Sequence, residues 1–501
     1  MQAEAAAGKP ALPGLPAFRD GDGVETLTLT LRDVFGLEVQ LRYTVYEAED
    51  LITLSGTWAA VRTPERAPLR WGIQSIGSTR GIPGHAHNPA AILCTPDCTE
   101  TAGSCWGFAL VYSSNFLIEA QRADAGQRLV MGIHPYHFHW QLEPGASFAA
   151  PEAAMVYSDQ GLGEMSRRFH NAIRTRLLPP RWQDMKAPRP VLLNSWEACY
   201  FDFDESKLLA LAGAARQADI DLFVLDDGWF KGRNGTASSL GDWTADRAKL
   251  PDGLPGLCAK LNAMDLGLGL WVEPEAVSPD SDLYRAHPDW AFAVPGRQPC
   301  QIRCQYNLDL SRQEVVEALW QQLEQVLRSC PIQYLKWDMN RALADVYSPA
   351  LPAARQGEVY HRYVLGLYEL QRRVTETFPD LLLENCAGGR RLPVASGRRR
   401  GAGLHRHRRQ PPFARGGFAG RGGRKTDRPG RRRAQRRAGG AGRLRRGGQH
   451  PPRRQGAGGP AACPAGAGNR LRPAGSGPLA PAAGGPSGPR PGAGPAPLCP
   501  P

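Results

Sequence analysis

Residues 333–341 read QYLKWDMNR, and this stretch decides the fold. In an extended strand successive side chains point to opposite faces. Leu335, Trp337 and Met339 therefore share one face, while Tyr334, Lys336, Asp338 and Asn340 share the other. The apolar set suits a layer of covering helices. The polar set is costly to bury unless its members pair with one another or do chemistry. A structural Lys336–Asp338 ion pair is the plain alternative to a working site, so the neighbouring stretches have to decide.

The same grammar recurs on both sides. VLLNSW (191–196), DLFVLDDGW (221–229), LGLGLWVEPE (266–275), YNLDL (306–310) and LLLENC (381–386) are short apolar runs that end in polar or aromatic residues. Helical stretches separate them. One covers 205–218. Another follows Leu310, where Ser311 and Glu314 have capping-box spacing and Val315, Val316, Leu319, Leu323, Val326 and Leu327 recur on one face. Six β/α units in series predict a parallel sheet. Chemically active residues at successive strand ends predict an incomplete (β/α)8 TIM barrel. An open doubly wound sheet would carry a glycine-rich phosphate loop after its first strand, and none is present. The strand ends supply the candidate residues. Asp226 and Asp227 beside Gly228 form either a plain turn or a pair of strong acceptors for sugar hydroxyls. Trp196 and Trp271 offer faces for a sugar ring or for the core. Arg303 is placed at the opening of the fourth strand and Cys386 at the end of the sixth.

Upstream the period changes to two. VETLTLTLRD, VQLRYTVYEAEDLITLSGTW and WGFALVYSSNFLIEAQ alternate apolar and polar residues between turn signals. Residues 1–160 are expected to form an N-terminal β-sandwich domain. GLGEMSRRFHNAIRTRLL marks a linker helix within 161–189, and 190–389 is the partial barrel.

Charge divides the chain. It carries 61 Lys and Arg against 48 Asp and Glu; residues 388–501 hold 26 of the former and one acid, Asp427, which leaves 35 against 47 elsewhere. The basicity thus belongs to the tail, and the body has the acidity of an ordinary soluble enzyme. After Asn385 the sequence has no Ile, Met, Tyr or Trp and a single Val. Such a composition cannot bury enough apolar surface to offset chain entropy, so residues 390–501 are expected to be disordered. The 11 cysteines lack the paired spacing of a structural zinc site and are expected to be free thiols. The N-terminus shows no basic segment followed by an apolar one, and no apolar run reaches membrane-spanning length, so the expected location is cytoplasmic, without membrane contact.

NSWEACYFDFDESKLLALA, LFVLDDGWF, SLGDW, WVEPEAVSPDSDLYRAHPDW, YLKWDMNR and LLLENCAGG together resemble the serial motifs of glycoside hydrolase family 36, the bacterial-type α-galactosidases. GKPALPGLPA, GFALVYSSNF and PEAAMVYSDQGLGEMSRRFH resemble its N-terminal β-domain, whose start is incomplete here. The resemblance runs over residues 8 to 389. It implies retaining hydrolysis of terminal α-galactosides such as melibiose and raffinose, with a small oligosaccharide as substrate, no metal and no organic cofactor. Asp338 matches the nucleophile that forms a covalent galactosyl-enzyme. Lys336 matches a group holding a hydroxyl beside it, and Asp226 and Asp227 match the pair gripping the sugar. Trp196, Trp271, Arg303, Asn340, Cys386 and Gly388 match positions lining the same pocket. A homo-oligomer is implied for an intact protein. Related activities are an α-glycosidase acting on N-acetylgalactosamine or a transglycosylase; a sugar-binding remnant without catalysis is a further reading.

The resemblance stops near Gly389. A retaining glycosidase needs a second carboxyl group about 5–5.5 Å from the nucleophile to protonate the leaving group. The family places that acid/base aspartate after the glycine turn, yet no acidic residue lies between Glu384 and Asp427. An arginine-rich arm for nucleic acid is one reading of the tail, but its only aromatics are Phe413 and Phe418 and it begins inside a β/α unit. Translation of a GC-rich gene in the wrong frame accounts for the Arg, Gly, Pro and Ala bias directly. The expectation is a frameshift near Gly389, leaving a chain without its acid/base residue.

Overall fold

The computed structural model describes residues 2–32, 37–49, 51–54, 67–83, 87–124, 126–178 and 189–386. The expected disorder of 390–501 and the position of Gly388 lie outside the described residues.

The N-terminal part is antiparallel. A seven-stranded sheet contains Val24–Arg32, Glu38–Tyr46 and Cys105–Leu110, and a three-stranded sheet is formed by Gly72–Ser78, Phe116–Ala123 and Gly126–Ile133. The period-two runs thus become strands because alternation lets one face bury and the other meet water. The helix Gly161–Ala172 continues into a wider π turn at Ile173–Leu177 and packs Met165, Phe169 and Ala172 into the core of the larger sheet.

The second part is a five-stranded parallel sheet of Leu192–Asn194, Leu222–Leu225, Gly267–Val272, Ile332–Trp337 and Leu382–Asn385. Spatial order follows chain order, and each neighbouring pair is parallel. A doubly wound sheet would reverse its order at a switch point. An unreversed sheet is an arc of a barrel, so the strands form a partial (β/α)8 barrel.

Face assignment follows the alternation. Phe223, Leu225, Leu335, Trp337 and Met339 lie in the large core with the helices, while Leu222, Val224 and Tyr334 cluster on the inner face. At Gly269 a Cβ would stand 2.9 Å from Val224 and 3.1 Å from Tyr334, so only glycine lets the inner strands approach so closely. The N-terminal sheets pack onto this core through Leu110, Tyr112, Phe116 and Ile118.

Three expectations need correction. YNLDL is not a strand of the barrel sheet; Tyr306–Asn307 pairs antiparallel with Ala276–Val277, and Gly267–Val272 bonds directly to Ile332–Trp337. Two residues of pairing are too few for a barrel strand, and the excursion returns beside the end of the third strand instead. The helix after it starts at Gln313, without a capping box. The Asp309 carboxylate takes both the N–H and the hydroxyl of Ser311, and Arg312 holds Glu314 at 2.7 Å, so neither capping partner is available. The amphipathic face itself is buried as its spacing requires. Among the described cysteines Cys199, Cys258, Cys300 and Cys330 are free thiols, whereas Cys304 is disulfide-bonded. One such bond is not the framework that a small core would need.

Candidate active site

The polar inner residues gather at the C-terminal end of the sheet. Asp338 follows the strand Ile332–Trp337, and its backbone N–H donates to the Val272 carbonyl at 2.8 Å, which extends the ladder past the strand end. The residue is 6 % exposed. Trp271 Nε1 donates to Oδ2 at 3.2 Å, Asn340 Nδ2 donates to the same oxygen at 2.8 Å, and the Met339 N–H donates to Oδ1 at 3.0 Å. Cys386, buried at the end of the last described strand, donates its N–H to Trp337 and accepts from Met339, which fixes the backbone on both sides of Asp338.

Asp226 lies two strands away. Lys336 Nζ donates to Asp226 Oδ2 at 2.8 Å, and Asn194 Nδ2 donates to the same oxygen at 2.6 Å. The simple Lys336–Asp338 pair considered from the sequence is therefore replaced by a pair across the arc. Adjacent inward positions on one strand are spaced along it, whereas the curve of the sheet brings Lys336 and Asp226 face to face. Burial works against the Lys336 ammonium, but the Asp226 charge and hydrogen bond outweigh it and raise its pKa above the ordinary lysine value.

Asp227 has a different environment from its neighbour. Both its oxygens take guanidinium N–H groups from Arg233, each at 2.9 Å. Burial pushes its carboxyl above the ordinary range, against the opposing pull of Arg233. The loop between them turns at Gly228, whose φ of +107° and whose contacts of 3.1 Å from a Cβ to Phe201 and Phe203 leave room for glycine alone. Lys249 ties that loop down by donating to the carbonyls of Phe201, Gly228 and Arg233 at 3.2, 2.8 and 3.0 Å. Its three donors are thereby used in full.

Trp196 is half-buried at the first turn of the short helix Trp196–Cys199, edge-on to Tyr200 and Phe201, with its backbone N–H donated to Asn194 Oδ1. Arg303 is not drawn into this cluster by any strand. It is exposed, at φ +56°, in the tight turn that pairs Ile302 with Gln305. Its expected placement at the opening of a barrel strand is corrected, because YNLDL leaves that sheet.

Glu273 carried no role in the sequence reading and is the main residue that it missed. It is 2 % exposed and lies just past the strand that supplies Trp271. Oε1 accepts from Gln305 Nε2 and the Asn340 N–H, both at 2.8 Å, and Oε2 accepts from Asn340 Nδ2 at 3.0 Å. Burial and the nearby Asp338 charge push its carboxyl up to about 7, against the hydrogen bonds from Asn340 and Gln305. The signal was present in WVEPE, where a wholly apolar strand turns acidic at once. Arg233, Lys249 and Asn194 had no comparable signal, because their partners are remote in sequence or are backbone carbonyls. Glu384, beside Lys336 in register, accepts a hydrogen bond from Tyr334 inside the arc. No group of three or more His, Cys, Asp or Glu suited to a metal ion occurs among the described residues, and no helix among them is long and apolar enough to cross a membrane.

A partial parallel barrel with acidic, basic and indole groups converging at its strand ends has the architecture of a barrel enzyme's active-site end. The melibiase family model matches residues 147–399, and the N-terminal domain model of glycosyl hydrolase family 36 matches 1–55 and 47–143. The chain belongs to this family. Alpha-galactosidase 1 of Pediococcus pentosaceus is 44 % identical over 421 residues, which cover 76 % of this chain and 57 % of the relative. Alpha-galactosidase AgaA of Geobacillus stearothermophilus is 44 % identical over 420 residues with the same coverage. A crystal structure of an AgaA variant with stachyose superimposes with TM-score 0.75 at 42 % identity, covering 79 % of this chain and 60 % of that one. A second AgaA variant, bound to raffinose, gives TM-score 0.76. The chain thus spans less than two thirds of the length of these relatives.

Proposed function

We propose that this chain carries the nucleophile half of a retaining α-galactosidase site, with terminal α-galactosides such as raffinose, stachyose and melibiose as the substrate class. The observation that supports it is the Asp338 carboxylate, held by Trp271 and Asn340 beside the Lys336–Asp226 pair at the mouth of the parallel strands. Asp338 attacks the anomeric carbon, the leaving group departs with the glycosidic oxygen, and a galactosyl ester forms on Asp338. Lys336, Asp226 and Asp227 hold sugar hydroxyls, and Trp196 and Trp271 offer ring faces. Gly388 belongs to the same proposed set by its sequence position. Relatives bind raffinose and stachyose, which fits a pocket for short oligosaccharides.

No acidic residue follows Glu384 until Asp427, so leaving-group protonation has no expected donor in this chain, and residues 390–501 read best as out-of-frame translation. The test is a donor that needs no acid. The purified chain is mixed with 2,4-dinitrophenyl α-galactoside, and the intact mass and peptide map are read. The expected result is a galactosyl adduct on Asp338, no adduct in Asp338→Asn, and negligible turnover of raffinose. Absence of any adduct together with absence of galactose binding would overturn the proposal. Resequencing the codons for residues 381–410 tests the frame directly.

A further inference from the structure

Asn340 stands between two carboxylates. Its Nδ2 lies 3.0 Å from Glu273 Oε2 and 2.8 Å from Asp338 Oδ2. A side-chain amide has two N–H donors on that nitrogen, and here each faces an acceptor that cannot donate when ionised. Swapping the amide end for end would aim a carbonyl at both carboxylates. Glu273 itself cannot move away. Its other oxygen is pinned by the Asn340 backbone N–H and by Gln305, each at 2.8 Å, and the side chain is 2 % exposed. The same strand end also supplies Trp271, whose indole donates to the same oxygen of Asp338. One strand terminus thus fixes that oxygen twice, directly through Trp271 and indirectly through Glu273 and Asn340.

We propose that Glu273 is a positioning residue for Asp338, acting through Asn340 by holding its amide with the nitrogen toward the nucleophile. The inference rests on the reading of Asp338 as nucleophile. It makes a specific statement about the isostere Glu273→Gln. Glutamine has one carbonyl oxygen, and the Asn340 backbone N–H, which cannot turn, claims it together with Gln305 Nε2. Its NH2 then faces Asn340, which turns its own carbonyl toward Glu273→Gln and so toward Asp338 Oδ2. A donor to the nucleophile becomes a repelling acceptor.

The experiment uses the full chain and three probes: 2,4-dinitrophenyl α-galactoside for the rate of Asp338 labelling, and galactose and the cationic iminosugar 1-deoxygalactonojirimycin for binding by calorimetry. Glu273→Gln is expected to slow labelling and weaken the iminosugar by about ten- to a hundredfold, the range for one lost charged hydrogen bond. Galactose affinity should stay within about twofold. Combined with Asn340→Ala, the loss should not exceed that of the worse single variant, since both act on one donor. Glu273→Asp keeps the charge but shortens the reach, and it is expected to show the same loss. Wild-type labelling in either Glu273 variant, additive losses with Asn340→Ala, or equal loss of galactose and iminosugar would overturn the proposal. If the wild type neither labels nor prefers the iminosugar to galactose, and Asp338→Asn changes nothing, the nucleophile reading fails and this inference falls with it.

Discussion

Arg233→Met isolates the most deeply buried ion pair of the site. The Arg233 and Asp227 side chains are 2 % and 9 % exposed and meet through two N–H···O bonds of 2.9 Å. Methionine fills much of the same volume but leaves the Asp227 carboxylate without its cation. Removing one partner of such a pair costs about 3–5 kcal/mol, because the remaining charge stays buried. Loss of the Arg233 Nη1 bond to the Ser238 carbonyl adds to this. Adding Asp227→Asn removes the stranded charge, so the double variant should recover about 2 kcal/mol or more of that cost. The assay is urea denaturation followed by tryptophan fluorescence, since Trp229 lies in this loop and is fully buried. The sign with pH is fixed as well. An unpaired buried carboxyl has its folded pKa raised above the unfolded one, so its penalty is absent at low pH and develops as pH rises through the ordinary carboxyl range. Arg233→Met should therefore approach wild-type stability at acid pH. A loss within about 0.5 kcal/mol at neutral pH, a pH-independent loss, or an additive double variant would refute the reasoning.

Other predictions rest on neighbouring groups. Glu273, pushed up to about 7, binds its proton more tightly folded than unfolded, so its contribution falls as pH rises from about 4.5 to about 7. Glu273→Gln should flatten that slope in denaturation series across this range. His361 has the opposite sign: burial beside Arg362 lowers it to about 4, against the Glu358 charge, so stability should fall as pH drops from about 6.5 to about 4. His361→Gln should flatten that limb, and the wild type should look nearly level where the two slopes oppose each other. Gly228→Ala places a Cβ against Phe201 and Phe203 at a positive φ, which is expected to cost about 1–3 kcal/mol and to weaken galactose binding through the displaced Asp226–Asp227 loop, as read by calorimetry.

Sequence alone determined much of this molecule. Alternation in 333–341 assigned Leu335, Trp337 and Met339 to the helical layer and Tyr334 to the inner face, because strand geometry allows no other division. Apolar runs ending in polar residues gave the parallel sheet and the positions of Asp226, Trp271, Asp338 and Cys386. Charge location assigned the basicity to the tail. What pairs with what was decided only by tertiary structure. Lys336 is bound to Asp226, 110 residues away, because the sheet curves. Arg233 closes on Asp227, and Lys249 on three carbonyls, through loop paths that no local pattern encodes. YNLDL has the composition of a strand but leaves the sheet, and it takes Arg303 with it. Glu273 looked like one acid in a motif, and only the folded chain places it against Asn340. Periodicity is local and is legible in sequence; the pairing of buried charges depends on distances across the arc, which exist only once the strands have paired and curved.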